Sequence, residues 1–183
     1  MKKILLFLFI IFSAFTFAQN KSSWTEVDKF TRNLSEKTRR TTLPTAYKLF
    51  KFDYETFVQQ LANVPQRDTF TGVSNVIVSI PNPNGEIVDY RIVEASTFEP
   101  SLQTKFPEIR SFAGQGVKNT GDIIRFSVSP YNGLSAIIRS VDAQETYVID
   151  PFSMDYKTFI VFEKSKSTNG GFICSTDDAV KEF

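Results

Sequence analysis

Cys174 is the only cysteine in this 183-residue chain, and histidine is absent. These two counts fix most of the side-chain chemistry on offer. Without histidine there is no imidazole-based triad and no zinc peptidase motif of the H-E-x-x-H kind. Paired carboxylates occur at Asp142 with Glu145 and at Asp177 with Asp178, and two carboxylates flanking a bond are a glycosidase's equipment. Here they stand in a turn and a tail with no aromatic cleft motif beside them, which reads as solvated charge. The glycines of "GQGVKNTG" do not form a phosphate cradle, because their spacing is wrong and a strand rather than a helix follows. Gly114 and Gly116 read instead as a bulge or a point of close packing. No catalytic constellation emerges from the residues themselves.

The elements that would position any site are mostly strands. "AYKLFKF" alternates with strand period, and Asp53 follows as the N-cap of a helix in "YETFVQQLANV", where Phe57, Val58 and Leu61 recur at helical intervals and Pro65 ends the run. "VSNVIVSIPNPNGEIVDYRIVEA" is two β-branched runs around an Asn-Gly turn, predicting strands near 74–80 and 86–94. A short helical segment is expected over Pro100 to Phe106. Five strand candidates follow: "IRSFAGQGV", "DIIRFSVSP", "LSAIIRSV", "ETYVID" and "YKTFIVFEK". The gaps between them are too short for helical crossovers, so neighbours should pair antiparallel in a meander. Asp150-Pro151 closes one of these strands, and the aromatics Tyr147, Phe152, Tyr156, Phe159 and Phe162 read as core. The expected fold class is α+β, a mostly antiparallel meander with one or two short helices.

The ends of the chain differ in composition from this centre. Lys2 and Lys3 precede an apolar run, Ile4 to Phe12, and small residues lead to Ala18. That is the pattern of a Sec signal peptide cleaved after Ala18, with an apolar segment too short for a membrane-spanning helix. The expected product is secreted or periplasmic, without stable membrane insertion. Its charge is −1, since the leader carries two of the 21 basic residues and none of the 20 acidic ones. No concentrated basic face points to nucleic acid; Lys37, Arg39 and Arg40 read as a solvated cluster. Residues 19–45 form a polar arm in which Trp24, Val27, Phe30 and Leu34 stand near helical spacing, so a short amphipathic helix and a loosely held arm both fit. Residues 46–164 form the domain, and 165–183 a linker and tail around Cys174. One cysteine cannot close a disulfide within the chain, so the fold rests on its apolar core.

An ordered set of short motifs carries a family resemblance. Leu102, Phe106 to Ile109 ("FPEI"), Ser111 to Gly116 ("SFAGQG"), Arg125 to Pro130 ("RFSVSP"), Gly133, Tyr147 to Pro151 ("YVIDP") and Cys174 resemble the N-terminal propeptide region of secreted bacterial reprolysin-like zinc metallopeptidases. "VSIPNPNGEIVDYRIVEAS" resembles that propeptide's earlier hairpin, and the similarity covers roughly residues 47 to 174. The family continues into a catalytic domain with a zinc-binding H-E-x-x-H motif, which this sequence lacks. The resemblance therefore implies a non-catalytic, exported, prodomain-like module that assists folding of, or inhibits, a reprolysin-like catalytic domain, in cis or in trans, as a truncated or split zymogen or as a free relative. The alternative is a stand-alone extracellular or cell-envelope binding module.

Cys174 then has two readings. In metzincin zymogens a prodomain cysteine can ligate the catalytic zinc: a thiolate fills the fourth tetrahedral position and displaces the attacking water. Zinc would thus enter only through a partner, with Cys174 as its ligand. Against this, "FICSTDD" lacks the Pro and Gly pattern of the usual inhibitory motif, and Cys174 can equally be a small apolar residue packed beside Phe172 and Ile173.

Overall fold

A computed structural model describes residues 22–28, 38–39 and 42–167. The leader through Ala18 and the tail with Cys174 lie outside the described residues. Nine strands form one sheet: β1 (Trp24–Val27), β2 (Lys48–Phe52), β3 (Ile77–Pro81), β4 (Ile87–Glu94), β5 (Arg110–Gly116), β6 (Ile123–Ser129), β7 (Gly133–Ser140), β8 (Glu145–Pro151) and β9 (Thr158–Glu163). Two short helices interrupt them, α1 (Tyr54–Gln60) between β2 and β3 and α2 (Pro100–Lys105) between β4 and β5. Every pairing is antiparallel, and the sheet order is β1-β2-β9-β8-β7-β6-β5-β4-β3.

The expected meander is present from β3 to β9, but the α+β class is not. The helices have seven and six residues and act as connectors, not as a layer laid against the sheet. The chain is essentially all-β, and the sheet supplies its own partner by curling. Trp24 on one edge strand shares a core with Val78 and Ile80 on the other. The β3–β4 turn also arrives against β1 and β2: a Cβ on Gly85 would lie 2.5 Å from the Lys48 Nζ and 2.9 Å from the Glu26 Oε2, the two groups of an ion pair.

The curl follows from alternation. Tyr90 and Ile92, Phe112, Ile124, Phe126 and Val128, Leu134, Ala136 and Ile138, and Phe159 and Val161 all point inward, each two residues from the next along its strand. Aromatic rings fill the centre. Phe52 lies 4.3 Å from Trp24 and 5.0 Å from Phe159, and Phe112 stacks on Phe126 at 4.9 Å. α1 brings Phe57, fully buried, onto the same cluster; burying such a side chain contributes about 1.5–3 kcal/mol. Asp53 caps that helix as its position predicts, accepting from the Thr56 amide at 3.1 Å.

Trp24 and Val27, whose spacing fitted a helix, sit instead on a strand paired with β2. A tryptophan that reaches the core gains more there than a four-residue helical stretch would return in local hydrogen bonds. A second, smaller cluster lies on the outer face of β2 and β9, where Leu49, Ile160 and Phe162 are covered by Phe152 and by Leu43 and Tyr47 from the segment before β2.

Candidate functional site

The outer face divides at β8. On the β9 and β2 side it is apolar and covered. On the β5 to β8 side it is open, and a row of small polar side chains runs across it among Arg125, Ile137 and Val148. Ser111 pairs with Ser127, and Ser127 with Ser135, in direct cross-strand register. Ile149 is the partner of Ala136, so Asp150 stands beside Ser135 and ends the row. The neighbours of these four residues along each strand, Phe112, Phe126, Ala136 and Ile149, are buried, which fixes the row on the opposite face. Three strand spacings of about 4.8 Å give it a length of about 14 Å.

Two adjoining hollows open over this row, one of about 450 Å³ and one of about 440 Å³, and both are lined by Ser127, Ser135 and Asp150. Small side chains make the depression: serines stand where larger residues would fill it. Gly133 has φ +67°, and its inner side abuts the Phe159 ring, which a Cβ would meet at 2.7 Å. The first hollow continues to Ile109, Ser129, Asn132 and Arg39. Ser129 accepts from the Asn132 amide at 3.1 Å, fixing the β6–β7 turn at that end. The second reaches Thr97, Arg125, Ile137 and Val148, and the Thr97 and Ser111 hydroxyls approach to 3.5 Å. The groove thus offers a line of hydroxyls and one carboxylate between two guanidinium groups. That is equipment for hydrogen-bonding an extended partner.

The residues singled out for chemistry fall elsewhere. Asp142 and Glu145 lie around the β7–β8 turn; the Glu145 carboxyl is held below its ordinary range chiefly by a hydrogen bond from Ser165, as expected of a stabilised surface carboxylate. Gly114 and Gly116 mark close packing: a Cβ would meet the Arg91 carbonyl oxygen at 2.6 Å and that of Asn119 at 2.3 Å, respectively. Arg39 stacks 4.9 Å above the Tyr156 ring. Tyr156 itself is not core; Phe152, Phe159 and Phe162 are. Among the described residues no group of three or more His, Cys, Asp or Glu side chains is placed to hold a metal, and no helix is long and apolar enough to cross a membrane. Asp177, Asp178 and Cys174 lie outside the described residues.

Sequence reasoning missed the serine row. Its signal was present as a polar residue between two apolar ones in "RSF", "FSV" and "LSA", but only the register brings them abreast. It also missed the buried pair of Glu94 and Arg110, in which Nε to Oε1 is 3.0 Å and Nη2 to Oε2 is 2.5 Å. Arg110 also donates to the Leu61 carbonyl at 3.2 Å, closing the end of α1.

Comparison with family models, with curated proteins and with solved structures finds no match to this chain.

Proposed function

We propose that the chain is a non-catalytic, exported, prodomain-like module that docks its outer groove on a reprolysin-like zinc metallopeptidase catalytic domain, assisting its folding or holding it inactive. One observation carries this reading: the motif pieces behind the resemblance, far apart in sequence, converge on the groove. Ile109, Ser111, Ser127, Ser129, Gly133, Asp150 and Pro151 all belong to those pieces, and all line its two hollows. An antiparallel module with a shallow hydroxyl-lined face suits a broad protein surface better than a small substrate. Cys174 would be the ligand to the partner's zinc, the single route by which a metal enters the function.

The test is inhibition of a purified reprolysin-like catalytic domain by residues 19–183, run beside Cys174→Ala and a groove-filling double variant, Ser127→Arg with Ser135→Arg. Docking through the groove predicts that the double variant raises the inhibition constant at least about tenfold, a loss of about 1.4 kcal/mol. Inhibition lost in Cys174→Ala assigns the zinc latch, and inhibition kept assigns that cysteine to packing. A folded wild-type chain that neither inhibits the enzyme nor aids its refolding overturns the proposal and leaves the stand-alone binding module.

A further inference from the structure

Beside the serine row, the same outer face carries two exposed isoleucines and two exposed arginines in a checkerboard. Ile123 pairs with Arg139, and Arg125 with Ile137, in direct cross-strand register, so all four side chains share one face. Their neighbours along each strand, Ile124, Phe126, Ala136 and Ile138, are buried in the interior, which makes that face the outer one. Ile123 is 48 % and Ile137 58 % exposed. Val148 stands opposite Ile137 and, on its other side, opposite Phe162, so the patch is continuous with the covered apolar cluster on β2 and β9.

Neither guanidinium has an ion pair or a side-chain hydrogen bond among the described residues. The carboxylates towards the two ends of β8 are engaged: Asp150 already has a partner, and Glu145 accepts from Ser165 and from the Thr146 amide at 2.8 Å. Exposed isoleucines alternating with uncompensated arginines suit a covering segment that is itself apolar and acidic.

The chain delivers such a segment to this place. After β9 a single 3-10 turn, Lys164–Lys166, packs on β8, where Ser165 reaches Glu145, the first residue of the strand. The Lys166 carbonyl accepts from the Thr45 amide at 2.9 Å, and Thr45 lies between Leu43 and Tyr47, which cover the outer apolar cluster. The described chain therefore ends at Ser167 on the outer side, beside the strand that pairs Thr146 with Arg139. Residues 168–183 read "TNGGFICSTDDAVKEF": the apolar pair Phe172 and Ile173, then Asp177 and Asp178, with three acidic residues against one basic. Five extended steps carry the chain about 17 Å from Ser167 to Phe172, and the path from Glu145 along β8 to Val148 and across to Ile137 is about 15 Å. Asp177 lies five residues further on, ample for the one strand spacing of about 4.8 Å from β7 to Arg125 on β6.

We propose that residues 168–183 dock on this patch, with Phe172 and Ile173 over Ile137 and Val148, and Asp177 and Asp178 on Arg125 and Arg139. Arg125, Ile137 and Val148 also line the second hollow over the serine row, so the docked segment covers that hollow and holds Cys174 beside it. A partner seated on that hollow has to displace it. The docking is a property of the free chain and does not rest on the prodomain role.

The single cysteine makes the test direct. A nitroxide attached to Cys174 in isotope-labelled residues 19–183 is expected to broaden the amide resonances of Ile123, Arg125, Ile137, Arg139 and Val148 and to leave those of α1 sharp. Asp177→Lys with Asp178→Lys should abolish the broadening, and adding Arg125→Glu with Arg139→Glu should restore it, which separates charge pairing from damage to the fold. In the chain without nitroxide, the same aspartate reversal should shift the Arg125 and Arg139 amide resonances, a reading independent of the label. The proposal is overturned if the folded chain shows neither the broadening nor that shift, or if the aspartate reversal leaves the broadening unchanged. It is equally overturned if the fourfold variant stays unbroadened. Broadening of an isotope-labelled Cys174→Ala chain by nitroxide-bearing copies would give the patch to a second copy instead. Absent broadening together with binding to phosphatidylglycerol vesicles would give it to an anionic membrane surface.

Discussion

Glu94 is a carboxylate in a place where burying one is expensive. Its side chain is 8 % exposed, and the 24 % exposed guanidinium of Arg110 makes the burial tolerable through two parallel hydrogen bonds. Removing one partner of such a pair leaves an uncompensated charge, whereas removing both costs less. Arg110→Met should destabilise the fold by about 3–5 kcal/mol in urea denaturation, and Arg110→Met with Glu94→Leu by clearly less. Equal losses in the two variants would mean that the contact with Leu61, and not the charge, is what matters. Tyr90 shows the same economy in a neutral group. Burial first, then the nearby Asp122 and Tyr147, raise its ionisation well above the ordinary 10.0. A raised acid binds its proton more tightly in the folded state. Its contribution to stability is therefore intact below pH 10 and lost as pH climbs beyond that value, where the unfolded chain ionises first. Tyr90→Phe should flatten the fall in stability between about pH 10 and 11, measured by denaturation at each pH; an unchanged slope would assign the fall to other groups.

At the scale of elements, α1 is a seven-residue helix that would not persist alone. Three anchors hold it: Phe57 in the core, Arg110 on the Leu61 carbonyl, and the Asp53 cap. Asp53→Ala should cost about 1 kcal/mol of global stability, read as a lowered thermal midpoint; a loss near zero would show that core and carbonyl anchors suffice. The cap was legible in the sequence because capping is a local event between residues three apart. So were the strands β2 to β9, whose alternation is written along each segment, and the turn after Pro81. What was not legible depends on register. No single strand says that Ser111, Ser127 and Ser135 stand abreast, or that Glu94 and Arg110 meet on neighbouring strands, because each fact is a property of pairs. The aromatic stripe predicts Tyr156 in the core; the tight turn from Ser153 to Thr158 breaks the strand period and leaves it half-buried.

For the whole molecule, the α+β expectation fails because helices of seven and six residues are too short to form a second layer on the sheet. An antiparallel sheet with one apolar face must bury that face on something. With two short α-helices among the described residues, curling is the remaining solution, and the heavy use of phenylalanine supplies the bulk that a self-facing sheet needs at its centre. The same curl brings the Asn82–Gly85 turn against Glu26 and Lys48, so opposite ends of the sheet order touch.

The position of β9 has a temporal meaning. β3 through β9 can zip in the order in which they appear, each strand finding the one before it. The β1–β2 pair cannot join that series as it forms, because its place in the sheet is beside β9, with Leu49 opposite Ile160, over a hundred residues later. Whenever this chain emerges vectorially, from a ribosome or through a translocation channel, its first two strands and the tryptophan they carry must wait for the last strand to appear. Closing so long a loop is the slow, entropically costly step. Until it closes, the aromatic interior lies open on one side, and a companion surface present during that interval would meet a half-built sheet.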